Sequence, residues 1–252
     1  MPKINRNGVQ IHYEVHGSGP VVLLSHGYCA TLQMWQGQIE PLSRDHTLLL
    51  WDMRGHGQSD YPGYPSAYSE ALTIADMVAL LDAVNVPTAV VGGLSLGGYL
   101  SLAFHRAQRE RVKALMIIAT GPGYRSDQPR EDWNRYAIGL AERLERDGLA
   151  ALGKSGEVVA SRHRSAEGLV HAARGMLTQR DASVIDSLPT IAVPTLVIAG
   201  ANDQRFLKAT DYMARKIPGA QKLIIPDAAH AVNIDQPDAF NAALLRFLAG
   251  LR

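Results

Sequence analysis

The chain of 252 residues contains a single cysteine, Cys29, which excludes an intrachain disulfide and any metal site built from several thiolates. An excess of charge of one sign is also missing. Its 25 Lys and Arg residues are balanced by 24 Asp and Glu, leaving a formal net charge of +1. With no basic block and no interleaving of basic and aromatic residues, nucleic acid is not an expected partner. No run approaches the roughly 18 consecutive apolar residues of a spanning helix, so no membrane association is expected. The opening run Met1-Pro2-Lys3-Ile4-Asn5-Arg6-Asn7-Gly8 lacks the apolar stretch of a secretory signal, and a cytoplasmic location is the expectation. Internal repeats and low-complexity tracts are absent. What is present is ordinary for a globular chain: 46% hydrophobic and 19% charged residues, enough for one sizeable core with room for an insertion.

Alternation of short apolar runs with amphipathic stretches organises the chain. Asn7-Gly8 followed by the alternating stretch Gln10 to His16 reads as a hairpin. Val21 to Leu24, Thr47 to Trp51, Thr88 to Val91, Val112 to Ala119, Thr195 to Ala199 and Leu223 to Ile225 read as short strands, the apolar ones suited to burial on both faces. Helical spacing is found over Met34 to Leu42, Thr73 to Val84, Leu96 to Arg109, Phe206 to Ile217 and Asp238 to Leu248. Strand–helix alternation with short connections predicts an α/β fold, a mostly parallel sheet covered by helices on both faces. One stretch breaks the rhythm. Residues 121–188 open on Gly121-Pro122-Gly123, hold no convincing strand, and are read as an inserted helical cap with helices over Asp132 to Arg146 and Ala166 to Leu177. Residues 1–120 and 189–252 then form the core.

The most informative run is Gly93-Leu94-Ser95-Leu96-Gly97, which joins a predicted strand to a predicted helix. A strand that becomes a helix within about two residues forces the serine into a strained conformation and lifts its hydroxyl out of the fold. Side chains at the flanking glycines would collide across such a turn. The amide of Leu96, at the helix start, points at the space above the serine. A serine hydroxyl needs a base, and a carboxylate and a histidine following in chain order at other strand ends would supply it. Asp203, in Gly200-Ala201-Asn202-Asp203, and His230, in Asp227-Ala228-Ala229-His230, both lie just past predicted strands, where reactive groups of open parallel sheets gather.

In that order the motifs resemble the α/β-hydrolase family over nearly the whole chain. The resemblance also rests on His26-Gly27, on Asp52-Met53-Arg54-Gly55-His56-Gly57-Gln58-Ser59, and on His230-Ala231-Val232-Asn233 with Gln236-Pro237. It implies Ser95 as nucleophile, His230 as general base and acid, Asp203 as orienting carboxylate, and the amides of Tyr28 and Leu96 as an oxyanion hole. Some relatives place the acid after the strand that here ends Ile118-Ala119-Thr120, where this chain has no carboxylate. His26 and His56 are expected to brace loops near the site, and Asp52 to hold its loop through Arg54. The remaining histidines are expected to be surface or structural.

Neither a metal nor an organic cofactor is needed by that chemistry. The resemblance is to the serine carboxylesterase and enol-lactonase branch, so the expected substrate is a small to medium ester or lactone, acted on by a monomer or homodimer. A serine nucleophile argues against the dehalogenases and epoxide hydrolases of the fold, which use aspartate. No tryptophan follows His230, unlike in meta-cleavage C–C hydrolases, and Cys29 stands where perhydrolase-type relatives carry proline. C–C bond hydrolysis, acyl transfer, lyase chemistry and a slow-turnover ligand receptor are the alternatives. Expected pocket residues are Trp35, Tyr124, Trp133, Tyr136, Met176, Leu177 and Ala231, with Cys29 an inert thiol nearby.

Overall fold

The computed structural model describes residues 2–251. Eight strands form one sheet in the order β1-β2-β4-β3-β5-β6-β7-β8. They are β1 (Lys3–Arg6), β2 (Val9–His16), β3 (Val21–Ser25), β4 (Thr47–Trp51), β5 (Ala89–Leu94), β6 (Val112–Ile118), β7 (Thr195–Gly200) and β8 (Gln221–Ile225). The hairpin β1–β2 and the β2–β4 pair are antiparallel, and every other neighbour is parallel. Val21 and Leu23 of β3 belong to one core cluster, while Val22 and Leu24 belong to another. This is the period-two alternation of a strand, and it explains why the parallel strands read as unbroken apolar runs.

Ten α-helices accompany the sheet. They are α1 (Gln36–Ser43), α2 (Glu70–Ala83), α3 (Leu96–Ala107), α4 (Asp127–Asp147), α5 (Gly156–Val159), α6 (Ala166–Ala172), α7 (Ser183–Ser187), α8 (Leu207–Lys216), α9 (Val232–Asp235) and α10 (Pro237–Ala249) among the described residues. Met77 and Leu81 of α2, Leu100 and Phe104 of α3 and Met213 of α8 fill the first cluster. Leu42 of α1 and Phe240 and Leu244 of α10 fill the second, on the other side. Among the described residues no helix is long and apolar enough to cross a membrane.

Several boundaries differ from the sequence reading, each for a physical reason. β5 runs on through Gly92 and Gly93 to Leu94, which pair with Met116, Ile117 and Ile118 of β6. Glycine is a weak strand former, so its pattern hides this extension. A Cβ at Gly92 would lie 2.7 Å from the carbonyl oxygen of Met116, so the close approach of β6 requires the missing side chain. The predicted helix over Ala166 to Leu177 ends as an α-helix at Ala172 and continues as a π-helical turn over Ala173–Leu177. Between β6 and β7 the described segment contains helices and turns but no strand, and α4 begins five residues earlier than predicted, at Asp127.

Candidate active site

Ser95 stands between β5 and α3 at φ 56° and ψ −115°, outside the regions favoured by L residues. Its amide donates to Ile118 O at 2.9 Å and its carbonyl accepts from Tyr99 N at 3.0 Å, so β6 and α3 hold the strained residue between them. The flanking glycines are required by close backbone approach. A Cβ on Gly93 would lie 2.5 Å from the carbonyl carbon of Gly97, and one on Gly97 would lie 2.2 Å from Ser25 O.

That second contact brings the end of β3 against the start of α3. The loop after β3 therefore runs beside Ser95, and Gly27 packs against the serine's own Cβ at contact distance, 3.5 Å from where a side chain would begin. The amides of Tyr28 and Leu96 have no hydrogen-bond partner among the described residues. His26 fixes this loop from below. Its Nε2 accepts from Met53 N at 2.9 Å and its Nδ1–H donates to Gly27 O at 2.7 Å. Burial pushes its pKa down to about 3, so the ring is neutral and these roles are stable. From above, the helical segment grips the same loop. Tyr28 Oη donates to Leu169 O at 2.9 Å, His163 Nε2–H donates to Cys29 O at 3.0 Å, and Thr31 Oγ1 donates to Ser161 Oγ at 3.2 Å. Cys29 itself takes φ 61°, and burial pushes its thiol up to about 12.

Asp203 and His230 meet at the far ends of β7 and β8. His230 Nδ1–H donates to Asp203 Oδ2 at 2.8 Å, with the carboxylate buried and the imidazole partly open. Backbone bonds clamp the two loops together: Ala201 N to Ile225 O at 2.9 Å and Asn202 N to Ala228 O at 2.8 Å. Below His230, Asn233 Nδ2 donates to Met34 O at 2.8 Å and to Gln38 Oε1 at 3.0 Å, which pins the loop to α1. The ring of Phe206 stacks on that of His230, with centroids 5.2 Å apart. Ser95 and His230 line one cavity without a direct hydrogen bond, a contact that commonly tightens only when substrate binds.

Asp52 does not use Arg54 to hold its loop. Its carboxylate accepts from Leu32 N and Gln58 N, both at 2.8 Å. Arg54 turns the other way and pairs with buried Asp76 through Nε at 2.8 Å and Nη2 at 2.7 Å. A guanidinium fork binds best to both oxygens of one carboxylate, and each oxygen of Asp52 already accepts from a backbone amide, whereas Asp76 offers its pair to Arg54.

Two cavities open beside Ser95. The smaller, of about 90 Å³, is lined by Leu96, Tyr99, Tyr124 and Gln179; the larger, of about 310 Å³, by Tyr28, Tyr136, Leu140 and His230. Trp133, Leu177, Arg205 and Phe206 border both and form the waist between them. Of the expected pocket residues, Tyr124, Trp133, Tyr136 and Leu177 therefore lie at the cavities. Trp35, Met176 and Ala231 do not. Trp35 is fully buried and stacks on Phe240 at 6.4 Å in the second core. Met176 packs in the first core, and Ala231 is buried at the start of α9. The sequence reading missed Gln179, Arg205, Phe206, Leu140 and Arg143. Trp133, Tyr136, Leu140 and Leu144 follow helical spacing along α4, a signal that marks one face of the helix. Among the described residues no group of His, Cys, Asp and Glu is placed to hold a metal ion.

Comparison with known proteins agrees with this architecture. The sequence profile described as "alpha/beta hydrolase fold" matches residues 20–166. A Bacillus subtilis (strain 168) protein, provisionally named 2-succinyl-6-hydroxy-2,4-cyclohexadiene-1-carboxylate synthase, is 28% identical over 96% of each chain. The 3-oxoadipate enol-lactonase 1 of Acinetobacter baylyi is 27% identical over 94% of this chain and 92% of its own. A thermophilic esterase from Thermogutta terrifontis superimposes with a TM-score of 0.86 at 28% identity, covering 100% of this chain and 99% of its own.

Proposed function

Because the chain belongs to the alpha/beta hydrolase fold family, we propose that it is a serine hydrolase of small to medium carboxylic esters, working through an acyl-enzyme on Ser95. The observation that carries this reading is the Asp203–His230 pair, joined at 2.8 Å and opening on the cavity that Ser95 lines. Nδ1–H of His230 is committed to Asp203, which leaves Nε2 as the free base. Ser95 Oγ attacks the acyl carbon as His230 takes its proton. The amides of Tyr28 and Leu96 hold the developing oxyanion, each donor contributing about 3 kcal/mol in such sites. The tetrahedral intermediate collapses, the C–O bond to the alcohol breaks, and His230 returns the proton to the leaving oxygen. Water, deprotonated by His230, then releases the acid and restores Ser95.

His230 lines the larger cavity and not the smaller. The group it protonates must lie within reach of it, so the alcohol occupies the larger chamber and the acyl group the smaller. Residues 121–188 act as the cap that closes both. A lactone is the second substrate reading, supported by the likeness to 3-oxoadipate enol-lactonase 1; its tethered ends would bridge the waist at Trp133. The test is a panel of p-nitrophenyl esters and simple lactones, with and without a fluorophosphonate. Turnover should be abolished as Ser95 is labelled, and Ser95→Ala should lose about three orders of magnitude or more while staying folded. No turnover of any ester or lactone, with Ser95 unlabelled, would leave a ligand-binding role instead.

A further inference from the structure

Glu157 is an anomaly in the larger chamber. It lines that cavity together with Ser95 and His230, yet the residue is only 5% exposed. Its Oε1 accepts from Ser155 Oγ at 2.8 Å, while its Oε2 is buried with no hydrogen-bond partner. No arginine or lysine pairs with the carboxylate among the described residues. A buried carboxylate oxygen without a donor calls for an explanation, because the penalty exceeds that of a neutral group.

The residue is also firmly placed. Ser161 Oγ donates to Glu157 O at 2.6 Å and itself accepts from Thr31 Oγ1, which ties α5 to the loop after β3. On its other side Gly156 packs against Ile234 of α9, where a Cβ would lie 3.2 Å from the isoleucine side chain. The start of α5 is thus wedged between the segments that follow Tyr28 and His230. Burial raises the Cys29 thiol, and the charge of Glu157 adds to that rise, so the carboxylate stands near the loop that carries Tyr28.

An ionised carboxylate only accepts hydrogen bonds, so its complement is an O–H or N–H donor or a cation. The other charges of the chamber decide between these. Arg143 and Arg205 line it as well, and Arg205 is held over the Tyr136 ring at 4.5 Å with Nη1 donating to Tyr136 Oη at 3.0 Å. Two guanidinium groups against one carboxylate oppose the entry of a further positive charge, but not that of a neutral hydroxyl.

Resting on the serine-hydrolase reading and on the placing of the alcohol in this chamber, we infer that Glu157 selects the leaving alcohol: the alcohol carries a second hydroxyl, as in a monoester of a diol or of glycerol, and that hydroxyl donates to the Glu157 carboxylate. The selection acts on polarity and leaves chain length open.

The experiment compares kcat/KM for butyrate esters paired by size, 2-hydroxyethyl with propyl and 4-hydroxybutyl with pentyl, in the wild type, Glu157→Gln and Glu157→Leu. Intrinsic reactivity differs within each pair, so the quantity read is the change in the hydroxylated-to-alkyl ratio between proteins. In at least one pair the ratio should fall about tenfold or more in Glu157→Leu, which removes both acceptors, and about threefold or more in Glu157→Gln, which leaves a neutral one. Thermal melts confirm folding, and if Glu157→Leu does not fold, Glu157→Gln alone carries the test. Butyrylcholine beside 3,3-dimethylbutyl butyrate reads charge without a donor. A fall in that ratio with both hydroxyl ratios level would assign the site to a cation and overturn the inference. Hydroxyl ratios within about twofold of wild type in every folded variant, with the alkyl esters still hydrolysed, would overturn the role of Glu157 and leave the hydrolase reading standing. Absence of wild-type turnover for all of these esters, with Ser95 unlabelled by a fluorophosphonate, would instead remove the hydrolase reading and this inference with it.

Discussion

Gly97→Ala is the most demanding single-methyl test of the serine turn. The added Cβ would stand 2.2 Å from Ser25 O, 2.6 Å from Ser25 C and 2.7 Å from His26 O, all backbone atoms that cannot rotate away. Carbon and oxygen settle at about 3.3 Å or more, so roughly 1 Å of movement must open between the end of β3 and the start of α3. Those two segments carry the two free amides: Leu96 directly precedes Gly97, and Tyr28 lies two residues beyond His26. Separating them by that distance moves the two amides of the proposed oxyanion hole apart before it disturbs anything else. Overpacking of this kind costs about 1–3 kcal/mol, and a chain of this length loses about 2–4 °C of Tm per kcal/mol. Misplacement of about 1 Å costs about a hundredfold in rate. The assays are ester hydrolysis and a thermal melt, run beside Gly139→Ala. Gly139 lies inside α4 with nothing within 4 Å of its would-be Cβ. That control should gain about 0.5–1 kcal/mol from helix propensity. Wild-type rate and Tm in Gly97→Ala would refute the view that backbone contact across this turn sets the amides.

Asp203→Asn should lower kcat by about three to four orders of magnitude, because an amide cannot hold the Nδ1–H tautomer or stabilise the imidazolium; a loss under tenfold would point to another carboxylate. Arg54→Ala removes the main partner of Asp76, whose side chain is fully buried, and leaves only Arg6 at 3.4 Å. Urea denaturation should show a loss of about 3 kcal/mol or more, and a change below 1 kcal/mol would contradict the pairing. Acid should destabilise the fold early. His26 and His56 are both held neutral by burial, His26 down to about 3 from an ordinary 6.5. Unfolding lets each take up a proton below pH 6.5, so the unfolded state binds more protons and stability falls as pH drops from there towards 3. Each ring contributes up to about 1.4 kcal/mol per pH unit, and a Tm that stays level from pH 7 to pH 4.5 would exclude this account.

The parts of the molecule that could be read from sequence are those a local backbone constraint dictates. β3 and β4 are nearly continuous apolar runs because both faces are covered, and the run length gave their positions to within a residue. Gly93 and Gly97 marked the turn because any side chain there meets main chain. Asp203 and His230 were found by chain order at strand ends, and the structure joins them at 2.8 Å. Asp52 and Arg54 show where local reading stops. Both lie in one loop and Asp52 is expected to hold it through Arg54, yet the arginine reaches Asp76 on α2. Nothing in the intervening chain indicates that α2 will pass beneath that loop.

Pocket residues were harder to identify because a cavity wall and a core have the same composition. Trp35 and Trp133 are both large, apolar and near helix starts, but one stacks on Phe240 beneath the sheet and the other borders both chambers. What separates them is a polar tether. Trp133 Nε1 donates to Leu177 O at 2.8 Å, and its neighbour Asn134 makes the paired bonds to Gln179. These three bonds tie α4 to the chain after the π-helical turn, so they fix the waist between the chambers. At about 1 kcal/mol net for each, opening the waist to admit a larger acyl group costs about 3 kcal/mol, equivalent to roughly a hundredfold in kcat/KM. On the proposed chamber assignment, acyl length is therefore limited by the strength of a hydrogen-bonded partition, while the alcohol side, bordered by the exposed Arg143 and the short helix α5, is free to vary.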